Sequence, residues 1–296
     1  MKGRLLSIDV LRGLTIIFMI IVNQPGSWDH VYAPLRHAKW NGLTPTDYIF
    51  PMFLFIVGVS IVLSMSKKLN SVDKSSLIKK ILWRTFKIYL VGLFLWIWPA
   101  FDLGSIRWTG VLQRISVVFL FCGLIYLFFK QKQQVYIAAT ILILYWIIMV
   151  FAPVPGIGVP DLSIPERNWA HYIDSLYLPG VMWQGTWDPE GILSTFPSIV
   201  TGIFGLIAGG ILVSKKEIKD KLINLFLVGV ILVFIGDAIS WSFPVNKNLW
   251  STSYTCLMGG MSFLLTAAFV YTIDVLGYKK FKFAHVFGVN SIFCYV

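Results

Sequence analysis

Runs of apolar residues, one after another along the whole chain, set the limit on what this sequence can fold into. Segments 8–23, 46–65, 81–98, 110–129, 135–152, 191–213, 222–241, 251–275 and 284–296 are each dominated by aliphatic and aromatic side chains. A helix needs about 20 such residues to cross a bilayer. The first eight read as spans, and the ninth as a helix that is cut short at Val296, so that at least one further span is expected beyond it. Composition agrees: 57% of the 296 residues are hydrophobic and only 13% charged, well away from the balance of a water-soluble domain. The expected fold class is all-α, a polytopic membrane helical bundle of nine or more transmembrane helices, built as a single domain over 1–296.

The cations between the runs encode orientation. Alternate connections hold Lys2 and Arg4, "KKLNSVDKSSLIKK", "KQKQQ", "SKKEIKDK" and "GYKKFKF", sixteen Lys and Arg in all, against five on the other side: Arg36, Lys39, Arg107, Arg167 and Lys247. Cytoplasmic loops are enriched in Lys and Arg, so the N-terminus is expected in the cytoplasm. The net charge of +11 therefore reports topology and implies no nucleic-acid partner; the partner it implies is the lipid bilayer. The basic, apolar N-terminus lacks a small-residue cleavage site and reads as a retained first span. Cys122, Cys256 and Cys294 lie far apart inside apolar runs, without metal-ligand spacing or a disulfide framework.

Two loops on the cation-poor side are rich in polar and turn-forming residues. "PLRHAKWNGLTPTD" (34–47) interrupts the first two spans, and 153–190 is longer than a structureless connection usually is; the latter is expected to fold over the outer mouth. In the first loop, Pro34 and Pro45 restrict the backbone, Trp40 offers a flat wall, and Asn23, Asn41, Thr44 and Asp47 are placed to orient the imidazole of His37, as a general base requires. Asp188 and Glu190 precede the span starting near 191, either as helix caps or as ligands for an acceptor's ammonium or hydroxyls. At membrane depth, Asp9 and Arg12 are spaced to pair on one helix face. Arg114 offers a fork for phosphate, carboxylate or carbonyl groups, or snorkels to the interface. Arg84 and Lys87 sit near the inner interface, where they can anchor to anionic lipid. No hydrolase, Walker or dinucleotide motif occurs in its proper context. From these residues alone, an outward-facing polar site can serve an enzyme, a transporter or exporter of a small sugar, or an envelope assembly partner.

Four stretches taken together go further. "SIDVLRGLTIIFMIIVNQPG", "LRHAKWNGLTPTDYIFPMFLFIVG", "DPEGILSTFPSIVTGIFG" and "PVNKNLWSTSY", with "GVLQR" between them, resemble blocks of the heparan-α-glucosaminide N-acetyltransferase family and its bacterial relatives. The resemblance implies a bundle of the transmembrane acyltransferase type that moves acetyl from cytoplasmic acetyl-CoA to the amine of a glucosamine-type sugar on the extracytoplasmic side. It implies His37 and Asn23 as catalytic residues. Trp40, Asn41, Asp47, Asp188 and Glu190 fall to the acceptor side, and Arg12, Arg84, Arg114, Asn246, Lys247, Asn248 and Ser251 to acetyl-CoA. Acetyl-CoA enters as donor substrate, the amino sugar or glycan as acceptor, and no metal is called for; a homodimer is compatible with the family. Unlike the lysosomal members, the chain has no large domain before the first block and no N-x-S/T sequon in an outer loop, so a bacterial inner membrane is expected rather than a lysosomal one. The chemistry suits the histidine: an amino-sugar ammonium must lose a proton before it attacks a thioester, and a base near neutral pKa takes it, unless His37 itself first accepts the acetyl group.

Overall fold

The computed structural model describes residues 5–69 and 71–295; Lys2 and Arg4, two of the cations counted above, and Val296 lie outside the described residues. Among the described residues the regular structure is helical, with two isolated β-bridges and no strand. The helices are α1 Leu6–Asn23, α2 Ile49–Met65, α3 Lys74–Ile97, α4 Val111–Phe128, α5 Gln131–Phe151, α6 Trp169–Tyr177, α7 Ile192–Val213, α8 Ile218–Ser240, α9 Thr252–Phe269, α10 Lys282–Val289 and α11 Ser291–Tyr295. A π-helical turn, Val270–Val275, prolongs α9.

Seven segments are long and apolar enough to cross a membrane: Leu6–Asn23, Pro45–Met65, Val111–Phe128, Gln131–Phe151, Ile192–Val213, Ile218–Ser240 and Thr252–Val275. They fall on seven of the nine runs read from the sequence. The other two depart from that reading. α3 starts at Lys74, earlier than the apolar run, because Asp73 caps it by accepting from the Ser75 N–H at 3.1 Å; Lys74, Lys79, Lys80, Arg84 and Lys87 then dilute its apolar content. It still lies antiparallel along α4. The Lys74 ammonium sits 5.8 Å from the Phe128 ring centre near one end, and the Tyr89 hydroxyl donates to the Trp108 carbonyl at 2.9 Å near the other. The run from 284 forms α10 and α11, of 8 and 5 residues, neither long enough to cross.

α2 and α7 form the centre of the bundle, packed along each other. Most of both helices is buried, which is why α2 is apolar on every side. Lipid offers no hydrophobic drive to join two helices, so close backbone approach through small residues has to supply the packing. A Cβ at Gly58 would collide with the Gly202 carbonyl oxygen, and one at Gly205 with that of Phe55. The periphery is built the other way round. α8 turns Gly229 and Gly236 to α9 and leaves Phe226, Leu227, Ile231 and Phe234 exposed, a stripe fit for hydrocarbon and unfit for water. A multi-pass membrane protein follows.

The antiparallel packing collects the lysine-rich connections at one end and the loops 24–48, 98–110, 152–191 and 241–251 at the other. Those loops are tied to one another. Trp40 Nε1 donates to the Leu162 carbonyl at 2.8 Å, Gly42 N–H to Val245 at 2.8 Å, and Val181 N–H to Ile106 at 3.1 Å.

Gly205→Ala puts a methyl group into the α2–α7 contact. We expect it to lower stability by about 1–3 kcal/mol, read as a lower thermal midpoint in detergent. Val213→Ala, on an exposed position of α7, should leave the midpoint almost unchanged.

Candidate active site

Asp47 organises the first loop. It lies in a short 3-10 turn, Pro45–Tyr48, that leads into α2, and its side chain is fully buried. Its Oδ2 accepts from the Thr44 N–H at 3.0 Å, the Thr44 hydroxyl at 3.0 Å and the Ala38 N–H at 3.1 Å. The Tyr254 hydroxyl, from α9, holds the Asp47 carbonyl at 2.7 Å. Only Oδ1 is left, and it faces His37 Nδ1 at 2.7 Å. A carboxylate accepts and does not donate, so this contact favours the tautomer protonated on Nδ1, with the lone pair on Nε2. The His37 side chain is 46% exposed, so that nitrogen can be reached.

A second loop brings Lys247 to the same place. Its Nζ lies 2.8 Å from His37 Nδ1, 3.3 Å from Nε2 and 3.6 Å from Asp47 Oδ1. Burial lowers the proton affinity of this ammonium, against the pull of Asp47 and Glu190. Asn246 fixes the loop: its N–H donates to Ser251 Oγ at 3.0 Å, its Oδ1 accepts from the Leu249 N–H at 2.9 Å, and its Nδ2 donates to Asn41 Oδ1 at 2.9 Å. Ser251 also caps α9 through the Tyr254 N–H.

Asp188 and Glu190 meet a cation that sequence inspection passed over. Arg107 Nε donates to Asp188 Oδ2 at 2.7 Å, and Nη2 reaches Asp188 Oδ1 and Glu190 Oε2, both at 2.6 Å. Thr109, Trp183 N–H and Glu190 N–H supply further donors to Asp188, and Trp183 flanks the guanidinium at 5.1 Å. Burial would raise the Asp188 carboxyl, but the Arg107 bonds and charge overcome it and hold it low. The capping role, one of the two readings open to Asp188 and Glu190, falls to Asp174, whose Oδ1 accepts from the Ile192 N–H at 2.9 Å. Desolvation pushes that carboxyl up to about 6. Arg107 was findable as one of only five cations on its side; nothing in the sequence pointed to Asp174.

Trp40 meets Trp187 edge to face at 5.1 Å, forming a wall between the His37 loop and the Arg107 cluster. Asn41 donates to Leu162 at 3.3 Å. Asn23 ends α1, is exposed, and has no hydrogen bond to His37. Asn248 is half-buried in the Lys247 loop. Arg114 does not snorkel: it is 2% exposed and turned inward, bonded to the Gly191 carbonyl and Ser194 Oγ, with Trp250 against its guanidinium at 5.2 Å.

A cavity of about 1060 Å³ enters from the lysine-rich end, past Lys67, Ser214 and Lys221, and reaches Phe53 on α2 and Leu112 in the first turn of α4. Arg12 and Arg84 line it. The expected Asp9–Arg12 pair is formed at 3.1 Å, and Arg12 also donates to Ser60 Oγ at 2.6 Å and the Gly288 carbonyl at 3.0 Å. Arg84 stacks on Phe119 at 4.9 Å. Along α2, Phe53 lies six residues from Asp47, roughly 9 Å of helical rise. Among the described residues no group of His, Cys, Asp or Glu is placed to hold a metal ion.

The family model for the catalytic region of heparan-alpha-glucosaminide N-acetyltransferase matches residues 4–186. That range contains the whole first loop and Arg107. The human protein of that name is 33% identical over 99% of this chain, and the mouse protein 30% identical over 99%. The chain belongs to the heparan-alpha-glucosaminide N-acetyltransferase family. It spans about half the length of these curated relatives, 52% of the human and 53% of the mouse protein. His37, Asp47 and Lys247 bring a base, a buried carboxylate and a cation together at an accessible surface of the loop end.

Arg107→Met strands Asp188 as a buried charge, and we expect a loss of about 3–5 kcal/mol at neutral pH. Because the Asp188 carboxyl is lower in the fold than in the unfolded chain, its stabilisation is present above about pH 4 and lost as pH falls further. The gap between wild type and variant in thermal midpoint should therefore narrow on acidification.

Proposed function

We propose that this chain is a transmembrane acetyltransferase that carries acetyl from acetyl-CoA, entering at the cytoplasmic end, to the amine of a glucosamine-type sugar at the extracytoplasmic end. The observation that carries it is the oriented His37–Asp47 pair at one end of the bundle, with a cation-lined cavity rising towards it from the other. The cation asymmetry puts the lysine-rich end in the cytoplasm. α3, lying along α4, adds an eighth crossing. The single domain covers 1–296, with 153–190 over the outer mouth; a bacterial inner membrane is the location that the sequence favours.

The cavity supplies what a nucleotide thioester needs. Lys67 and Lys221 at its lysine-rich end, with Arg12 and Arg84 deeper along its wall, match phosphates. The apolar walls along α2 and α4 suit the pantetheine arm, which delivers the thioester towards Phe53 and Leu112. At the outer end, Trp40 and Trp187 offer apolar faces to a sugar ring, while Asn41 and Glu190 offer polar partners to its hydroxyls and ammonium.

His37 then acts through Nε2. Asp47 holds the ring and stabilises the imidazolium that forms once the base has taken the amine proton. Direct transfer to the amine and passage through an acetyl-imidazole use the same nitrogen, so the two routes differ only in whether acetyl stays on protein when acceptor is withheld.

Purified protein with acetyl-CoA and a panel of amino sugars should release free CoA only with a suitable acceptor. His37→Ala should reduce that release by about 10²–10⁴-fold in a protein that still unfolds cooperatively. Sugar flux across vesicles without CoA release would overturn the proposal in favour of a transporter. Arg84→Glu should raise the KM for acetyl-CoA by about tenfold or more and leave that for the sugar alone; unchanged donor affinity in a folded variant removes Arg84 from the phosphate site.

A further inference from the structure

An acyl transfer needs a base for the amine and also a positive group for the carbonyl oxygen, which becomes an anion as the carbonyl carbon turns tetrahedral. The side chain expected near His37, Asn23, lies exposed at the end of α1 with no bond to the ring. Lys247 is where such a group has to be. Its Nζ is 3.3 Å from Nε2, so an atom bonded to the nitrogen that His37 deprotonates falls within reach of the ammonium.

Three features keep that ammonium available. Ala38 and Thr44 bond Asp47 Oδ2 and His37 bonds Oδ1, while Lys247 lies 3.6 Å from Oδ1, an ion pair beyond the range of a good hydrogen bond. With the Nδ1 proton turned to Asp47, the 2.8 Å approach of Nζ to Nδ1 sets two donors side by side, and the Nε2 lone pair at 3.3 Å is what the ammonium meets on the ring until the incoming amine takes its place. The lysine side chain is 18% exposed, and so has lost most of the water that would otherwise solvate its charge. Its backbone is also preset: the Lys247 carbonyl accepts from the Trp250 N–H at 3.0 Å, and the Asn41–Asn246 and Gly42–Val245 bonds join its loop to that of His37. Fixed charge in a poorly hydrated site needs no reorganisation at the moment of reaction.

We propose that Lys247 is a catalytic residue whose ammonium stabilises the oxyanion of the tetrahedral intermediate, and this rests on the acetyltransferase function proposed above. The free amine attacks the thioester carbonyl carbon, a C–N bond forms, and the carbonyl π pair moves onto oxygen, opposite Lys247 Nζ. His37 Nε2 takes one proton from nitrogen. On collapse the carbonyl reforms, the C–S bond breaks, and the proton passes from His37 to sulfur, giving the amide and CoA thiol. Lys247 keeps its proton throughout.

The test compares wild type, Lys247→Met, Lys247→Arg and Lys247→Cys for CoA release at saturating acetyl-CoA and amino sugar. Lys247→Met should lose about 10²–10³-fold in kcat, with KM for both substrates within a few-fold and a cooperative thermal transition retained. Lys247→Cys, made together with Cys294→Ser because Cys122 and Cys256 are buried, should regain much of the rate when 2-bromoethylamine rebuilds an ammonium at that position, and none with iodoacetamide, which adds a neutral group. A folded Lys247→Met with kcat within threefold of wild type overturns the proposal while leaving the function intact. Equal rescue by both reagents also overturns it, because packing alone then explains the loss. If wild type releases no CoA with any acceptor, the acetyltransferase function falls and this role falls with it.

Discussion

The buried carboxylate of Asp47 is the interaction on which the rest of the site depends. A charge removed from water has to be matched by donors, and here the donors come from different parts of the fold. Ala38 and Thr44 bring the first loop round the carboxylate, and His37 is drawn to the oxygen that remains. The Tyr254 hydroxyl binds the backbone of the same residue from α9. One side chain thereby starts α2, closes the loop, and sets which nitrogen of His37 is free.

That arrangement is useful only because the bundle beneath it is rigid. Gly58 and Gly205 let α2 and α7 touch backbone to backbone, so the helix that carries Asp47 is held along its length. The same tight centre leaves space to one side, where α1, α2, α3 and α4 part to form the cavity. A polar site at one end and a cation-lined entrance at the other are thus two results of one packing pattern. The Arg107 cluster serves the loops in the same way, tying 98–110 to 181–190 where lipid can no longer hold them.

Much of this was legible in the chain itself, at the positions where a local rule applies. Asp9 and Arg12 pair because residues three apart share a helix face, and they do so at 3.1 Å. The polar stretch 34–47 stood out because little in such an apolar chain is polar without cause, and it holds His37 and Asp47. Where the rule was local but tertiary packing overrode it, the reading stayed open or departed from the structure. Asp188 and Glu190 could be read as helix caps or as ligands; they pair with Arg107, 81 residues from Asp188, and Asp174 supplies the cap. Arg114 could offer its fork inward or snorkel, and only packing decided between them: it is buried and bonded to the Gly191 carbonyl. The run from 81 is the apolar part of a longer, cation-bearing helix.

The sequence by itself determined that this chain spans a bilayer, the order of its helices, the end at which the lysines collect, and which loop carries the histidine. Those properties depend on composition and spacing within single segments, and short-range physics suffices for them. The tertiary structure alone decided what stands beside what. Lys247 reaches His37 across 210 residues, Asn246 reaches Asn41 across 205, and neither pairing has a period or a motif to announce it. They exist because antiparallel helices of matched length return distant loops to one end of the bundle, where a buried carboxylate draws the donors within its reach.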